Sequence, residues 1–246
     1  MRFTLLLPLV ALFAATIYAG AEYRSFRAKV AISDTLVKNT IPFERVLDKP
    51  ERRILVVGDS TGVGVGAVVR ELSLAGRLGA DYPEAGVTNR AVSGAKVRDV
   101  AGQLAAVKGM HFDLVYVQVG GNDIVRFTRL SELENDLAKM IDKAKSCGDQ
   151  VVVATSGNVG AAPIFPNGLH WLLHSRTLNV RKIFQTVVRR GTVHYVDLFM
   201  DEAADPFALE PKRYYAADSF HPSADGYGVW YGEIRDAIGS LPGWKR

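Results

Sequence analysis

The 246-residue chain contains one cysteine, Cys147. A single thiol excludes an intrachain disulfide framework, so packing and hydrogen bonds must hold the fold together. An excess of charge of one sign is also lacking. The net formal charge is +4, and Lys and Arg are scattered without the basic stripe or interleaved aromatics of a nucleic-acid surface. Neither an internal repeat nor a low-complexity tract is visible. A metal centre is not expected either: His170 and His174 stand four apart on one helical face, but no third ligand and no zincin-type glutamate accompanies them. They read as surface or partner-facing histidines. What remains is a chain 48% apolar and 23% charged, long enough for one domain with a sizeable core.

The one long uncharged stretch is residues 3–21, preceded by Arg2. Its 19 residues are about enough to span a bilayer once, and Tyr18 and Tyr23 suit an interface. Ala19-Gly20-Ala21 equally offers the small residues of a signal-peptidase site. Arg24, Arg27 and Lys29 follow and weaken a simple N-in orientation, and no cysteine closes the segment for lipid attachment. Residues 1–21 are thus expected to be a signal peptide or a membrane anchor, 22–50 a polar tether, and 51–246 the folded domain. Export or membrane association follows, with membrane contact through the N-terminal segment if it is not cleaved.

From residue 52 short apolar runs alternate with amphipathic stretches. Strands are predicted at 54–57, 87–92, 113–119, 151–154 and 193–198. Helices are predicted at 64–78, 97–108, 131–146 (Ser131 and Glu134 forming a capping box), 168–190 and from Pro222 to about 238. This βαβα alternation implies a parallel sheet with helices on both faces, and ligands then bind at the carboxyl ends of the strands.

The motifs fall on that rim. Gly58-Asp59-Ser60-Thr61-Gly62 places a serine on a tight strand-to-helix turn after the first strand. Asp218-Ser219-Phe220-His221-Pro222 supplies a histidine held extended by the following proline, with a carboxylate three residues earlier to hold Nδ1 and leave Nε2 free. Asn122 in Gly120-Gly121-Asn122-Asp123 and the backbone N–H of Gly94, after the third and second strands, can face a developing oxyanion together with the Ser60 N–H. Two other readings compete for the first turn. Gly-x-Ser-x-Gly also fits the nucleophile elbow of α/β-hydrolases, although here the serine follows the first strand. Gly62-Val63-Gly64-Val65-Gly66-Ala67 fits a dinucleotide fingerprint, but Asn89-Arg90-Ala91 stands where that site wants an acid for the ribose. Ile164 and Phe165, in a long apolar loop after the fourth strand, are candidates to line an acyl groove or to pack on Trp171.

Ser60 in Gly-Asp-Ser, Gly94, Asn122 in Gly-x-Asn-Asp and His221 in Asp-x-x-His occur in order, and on these four blocks the chain resembles the GDSL/SGNH hydrolases, nearest the thioesterase I/lysophospholipase L1-like branch. The resemblance covers about residues 52–240. It implies a three-layer α/β/α sandwich with a flavodoxin-like five-stranded parallel sheet. It implies a serine esterase in which Ser60, His221 and Asp218 are catalytic, with Ser60, Gly94 and Asn122 as oxyanion donors and no metal or cofactor. The substrate would be a small-molecule or lipid-like ester. A carbohydrate O-deacetylase, an acyltransferase using the same groups and a non-catalytic binding module are the alternatives. Oligomeric state is not legible.

Overall fold

The computed structural model describes the backbone of residues 3–191 and 193–245, and the side chains of 13, 15–190 and 193–245. Five strands, β1 (Arg52–Gly58), β2 (Ala85–Asn89), β3 (Phe112–Gln118), β4 (Gly148–Ala154) and β5 (His194–Val196), form one sheet in the order β2-β1-β3-β4-β5. Every pairing is parallel, with Ile54 of β1 beside Val87 of β2 on one side and Leu114 of β3 on the other. The chain leaves β1 toward β2 and then returns past it to β3. Strand order therefore reverses between β1 and β3, where an α/β sheet opens a crevice at its carboxyl edge.

Helices cover both faces. They are α1 (Phe3–Asn39), α2 (Ser60–Val63), α3 (Leu74–Asp81), α4 (Val97–Ala105), α5 (Gly121–Val125), α6 (Leu130–Lys145), α7 (His170–Gly191), α8 (Pro206–Leu209), α9 (Pro211–Tyr214) and α10 (Ala224–Gly239). Side chains alternate across the sheet as the two-residue period requires. Leu55, Val57, Val115 and Val117 pack on one face with Leu104 of α4, Leu133 and Leu137 of α6 and Phe184 of α7. Ile54, Val56, Leu114 and Tyr116 pack on the other with Leu78 of α3 and Tyr227 and Trp230 of α10. Both faces are covered, so β1 reads as an unbroken apolar run rather than an alternating one.

The predicted three-layer sandwich is present, with differences in detail. The expected helix over 64–78 is broken. Gly64 and Gly66 stand at φ +95° and +94° and Val68 at φ +66°, outside the helical region, and the helix resumes as α3 only after Ser73 accepts the Gly76 N–H on its side chain. The Ser131 capping box is not formed: α6 begins at Leu130 with Arg129 at the cap, and Ser131 lies inside the first turn. A carboxylate cap occurs instead on α4, where Asp99 accepts the Lys96 N–H at 2.9 Å.

The stretch read as a tether is structured. Helix α1 runs unbroken to Asn39, and the chain after it descends antiparallel beside β2, with Arg45 bridging to Val87. The Glu44 carboxylate accepts the Asn89 N–H at 3.0 Å and the Arg45 guanidinium donates to the Gly79 carbonyl at 2.7 Å. Phe43 is buried in the core against Gly79 of α3. This segment shields part of the otherwise open edge of β2. Residues 1 and 2 of the expected leader, and the side chains of 3–12 and 14, lie outside the described residues. Among the described residues no helix is long and apolar enough to cross a membrane.

Phe43→Ala is expected to cost about 3 kcal/mol of stability, because it empties a core position. Chemical denaturation checks this. An unchanged midpoint would return residues 40–50 to the status of a tether.

Candidate active site

The site starts from a backbone contact that only glycine permits. At Gly58 the chain ends β1 with φ +138°, and a Cβ there would lie 1.8 Å from the Gln118 carbonyl oxygen of β3. The buried Gln103 side chain of α4 brackets the same residue, accepting its N–H at 2.7 Å and donating to its carbonyl at 2.8 Å. Asp59 then caps α2, accepting the Thr61 N–H at 2.9 Å and the Thr61 hydroxyl at 2.6 Å. Ser60 is the first residue of that single turn, so its N–H has no intrahelical acceptor. Asn89, where a dinucleotide site wants an acid, instead donates its side-chain amide to the Gly62 carbonyl at 3.0 Å.

The second wall is the 218–221 turn. His221 Nε2 lies 2.8 Å from Ser60 Oγ, and His221 Nδ1 lies 2.5 Å from Asp218 Oδ2. The other Asp218 oxygen accepts the Phe220 and His221 N–H groups, each at 3.0 Å. Ser60, His221 and Asp218 are 7%, 4% and 0% exposed, so the relay is nearly dry. Burial pushes the Asp218 carboxyl up. The His221 hydrogen bond and charge, with the two N–H donors, outweigh that and hold it below the ordinary carboxylate range. Ser219 sits at φ +59°, a conformation that costs on the order of 1–2 kcal/mol for a non-glycine residue. Gly66 lets the turn come close: a Cβ on it would meet the Pro222 carbonyl at 2.4 Å.

Asn122, in the first turn of α5, lines one cavity with Ser60 and His221. Its neighbour Asp123 is buried and accepts the Val97 N–H at 3.0 Å, which ties α5 to the start of α4. Gly94 adopts φ +82° in a turn closed by the Ala95 N–H on the Val92 carbonyl at 3.0 Å. That bond leaves the Gly94 N–H outside the turn's own pairing. The Arg126 guanidinium lies 3.2 Å from the place of a Gly94 Cβ. Gly94 is not among the residues lining the Ser60 cavity.

Ile164 and Phe165 are placed elsewhere. They line a separate cleft against Phe26 and Lys29 of α1, while Trp171 is 70% exposed. They support the histidine turn from behind: the Ile164 N–H donates to the Ser219 carbonyl at 3.0 Å, and the Phe165 ring meets the Phe220 ring edge-on at 5.7 Å. Phe220 in turn packs edge-on against His221 at 5.0 Å. Lys29 Nζ donates to the Pro163 carbonyl and Glu22 accepts the Asn167 N–H at 3.2 Å, so α1 steadies this loop. The walls of the Ser60 cavity are instead Val159, Leu198, Met200, Phe207, Tyr215 and Trp230. Leu198 and Met200 carried a usable signal, because they follow β5 on the rim that bears the other motifs.

His170 and His174 each have contacts of their own. His170 Nδ1 lies 2.5 Å from the Gly160 carbonyl and is the donor there, and the His174 ring packs 5.9 Å from Phe199. Among the described residues no three His, Cys, Asp or Glu side chains gather to hold a metal ion.

Asp59 provides a pH-dependent handle. Burial pushes its carboxyl from 3.8 up to about 6, against the Thr61 hydrogen bonds that lower it. Between those values the folded protein holds a proton that the unfolded chain has released. This contribution therefore stabilises the fold below pH 4, declines as pH rises to 6, and is flat above, an overall change on the order of 3 kcal/mol. Asp59→Asn keeps an acceptor for Thr61 and is expected to abolish that slope, raising stability relative to wild type at pH 8 more than at pH 4. Urea titrations across this range check it; parallel curves for the two proteins would contradict it.

Known proteins are similar to this chain in sequence and in fold. Residues 56–229, from within β1 to within α10, match the GDSL-like lipase/acylhydrolase family. Over 196 residues the chain is 27% identical to a GDSL-like esterase of Mycobacterium tuberculosis, covering 75% of this chain and 62% of that protein, so less than two thirds of the relative is spanned. Its fold is similar to a G-D-S-L lipolytic protein from Veillonella parvula (TM-score 0.61, 18% identity, 77% of this chain and 99% of that one). It is also similar to a catalytic mutant of Axe2, an acetylxylan esterase from Geobacillus stearothermophilus (TM-score 0.56, 21% identity, 80% and 97%). With the matched stretch running from the Ser60 strand through the His221 turn, the chain belongs to the GDSL-like lipase/acylhydrolase family.

Proposed function

We propose that the chain is a serine esterase acting through a covalent acyl-enzyme, with Ser60 as nucleophile, His221 as general base and then acid, and Asp218 as the group that orients the imidazole. The observation that carries this reading is the continuous hydrogen-bonded line from Ser60 Oγ through His221 to Asp218. An Asp218 carboxylate on Nδ1 selects the tautomer whose Nε2 is an acceptor. Ser60 Oγ attacks the ester carbonyl as its proton passes to Nε2. The tetrahedral oxyanion takes hydrogen bonds from the Asn122 side chain and the Ser60 N–H, both from residues that line the cavity; the third donor, expected at the Gly94 N–H, comes from a residue outside that lining. Collapse expels the alcohol, which leaves with the proton from His221. Water then attacks the acyl-Ser60 ester by the same relay, and the carboxylic acid departs.

The cavity supports short acyl groups. It has about 50 Å³ of free volume, opens partly to solvent, and is walled by the buried rings of Phe207 and Trp230. That is small beside the roughly 150 Å³ that accommodates a benzene ring. Ile164 and Phe165 line a different cleft and are not among the residues that wall the Ser60 cavity.

A series of p-nitrophenyl esters from acetyl to palmitoyl is expected to give highest turnover at acetyl to butyryl, with Ser60→Ala reduced to background. An optimum at palmitoyl would contradict the short-acyl reading, and Ser60-independent hydrolysis would contradict the mechanism. Asn122→Ala is expected to lower kcat about a hundredfold, as loss of one oxyanion donor does, with the unfolding midpoint little changed. Wild-type turnover in that variant would remove Asn122 from the oxyanion site.

A further inference from the structure

Two residues that line the Ser60 cavity each carry a buried polar atom that the fold leaves without a partner. Asn158 is 4% exposed and lines the cavity. Its Oδ1 accepts the Gly160 N–H at 3.1 Å, capping the short turn Val159–Ala161. That bond fixes the amide and assigns the remaining end as the NH2 donor. This Nδ2 has no hydrogen-bond partner, and neither does the buried Ser156 Oγ, two residues earlier on the same wall.

The other unpartnered buried atoms among the described residues, Thr128 Oγ1, His174 Nδ1 and Arg176 Nε, belong to residues that do not line this cavity, and further buried polar groups at the rim have partners. Gln103 and Gln118 satisfy Gly58 and the Thr155 carbonyl, Asn89 satisfies Gly62 and Ala91, and Asp123 accepts Val97. Buried donors without an acceptor are uncommon in folded proteins, and where they face a cavity a ligand can supply the missing atom. Ser156 also marks a place along the bound group. Its Oγ is 3.8 Å from the position of a Gly121 Cβ, beside Asn122. Ser156 therefore lies beside the Asn122 turn, and Asn158 follows two residues on along the same cavity wall.

We propose that Ser156 and Asn158 form a polar subsite of the acyl pocket, and that the preferred substrate is an ester whose acyl group carries an acceptor oxygen near its carbonyl, as a hydroxyacyl, alkoxyacyl or oxoacyl group does. The inference rests on the serine-esterase reading of the same site. The acyl group is the part assigned to this wall because it stays bound through both steps. The alcohol must depart before water enters and needs the open side.

The test compares p-nitrophenyl methoxyacetate with p-nitrophenyl butyrate. Their acyl chains are equal in length and differ by one oxygen in place of a methylene. Intrinsic reactivity cancels when the ratio of their kcat/KM values is compared between enzymes. In Asn158→Leu this ratio is expected to fall roughly tenfold from wild type, the usual size of one hydrogen bond in discrimination. Asn158→Asp retains an acceptor for the Gly160 N–H, so the turn is kept, but it removes the donor; its ratio is expected to fall as well. Ser156→Ala is expected to give a smaller fall. Unchanged ratios in both Asn158 variants, with wild-type unfolding midpoints, would overturn the polar subsite and leave the esterase reading intact. Failure of the wild-type protein to hydrolyse either ester would overturn the esterase reading, and this inference with it.

Discussion

The geometry of the rim depends on the close approach of Gly58 to the Gln118 carbonyl at the ends of β1 and β3. No side chain fits between them, since even a Cβ would stand 1.8 Å from the carbonyl oxygen. With that approach the chain turns out of the sheet directly at Asp59, and Ser60 arrives at the point where strand order reverses. Without it, Ser60 would be carried away from both the Asn122 turn and the His221 turn. The Gln103 side chain holds both backbone groups of Gly58 from the helical layer, so the turn is fixed from two directions.

Once Ser60 is placed, the surrounding elements hold its partners by polar contacts in a nearly dry setting, where an unmet donor or acceptor is costly. Asp218 is the clearest case. It is fully buried and remains a carboxylate because two N–H groups and the imidazole surround it. Ser219 is held at positive φ between these bonds and the Ile164 N–H, a small local strain exchanged for a fixed imidazole. Asp59 shows the opposite balance, with burial outweighing its hydrogen bonds. Helix α1, whose N-terminal half reads as a leader or anchor, also belongs to this support, since Lys29 and Glu22 steady the loop behind Phe220.

Much of this was legible in the sequence, for physical reasons. Buried parallel strands need continuous aliphatic runs, and glycines end them, so residues 54–57 and 113–119 announced both the sheet and the rim. Ser60, Asn122 and His221 followed from position on that rim and from residue type. The less legible parts are those where local pattern and tertiary context disagree. The 64–78 stretch has a helical pattern, but close approach to the 216–222 loop requires Gly66 at positive φ and breaks it. Ser131 and Glu134 have capping spacing, yet the helix begins one residue before Ser131. Ile164 and Phe165 stand out as apolar in a loop, and they pack behind the histidine turn and line a cleft other than the Ser60 cavity, a placement that no local spacing shows. The cavity walls at Phe207, Tyr215 and Trp230 come from segments far apart in sequence, which no local spacing connects.

The central claim is that Ser60 is made nucleophilic by His221 within this fold. The most direct test is reaction of the full chain with a fluorophosphonate probe, read by intact mass and peptide mapping, in wild type, Ser60→Ala and His221→Ala. The account predicts one adduct per chain, carried by Ser60, absent in Ser60→Ala and formed at least a hundredfold more slowly in His221→Ala. An adduct on another residue, no adduct in the wild-type protein, or equally fast labelling without His221 would contradict it.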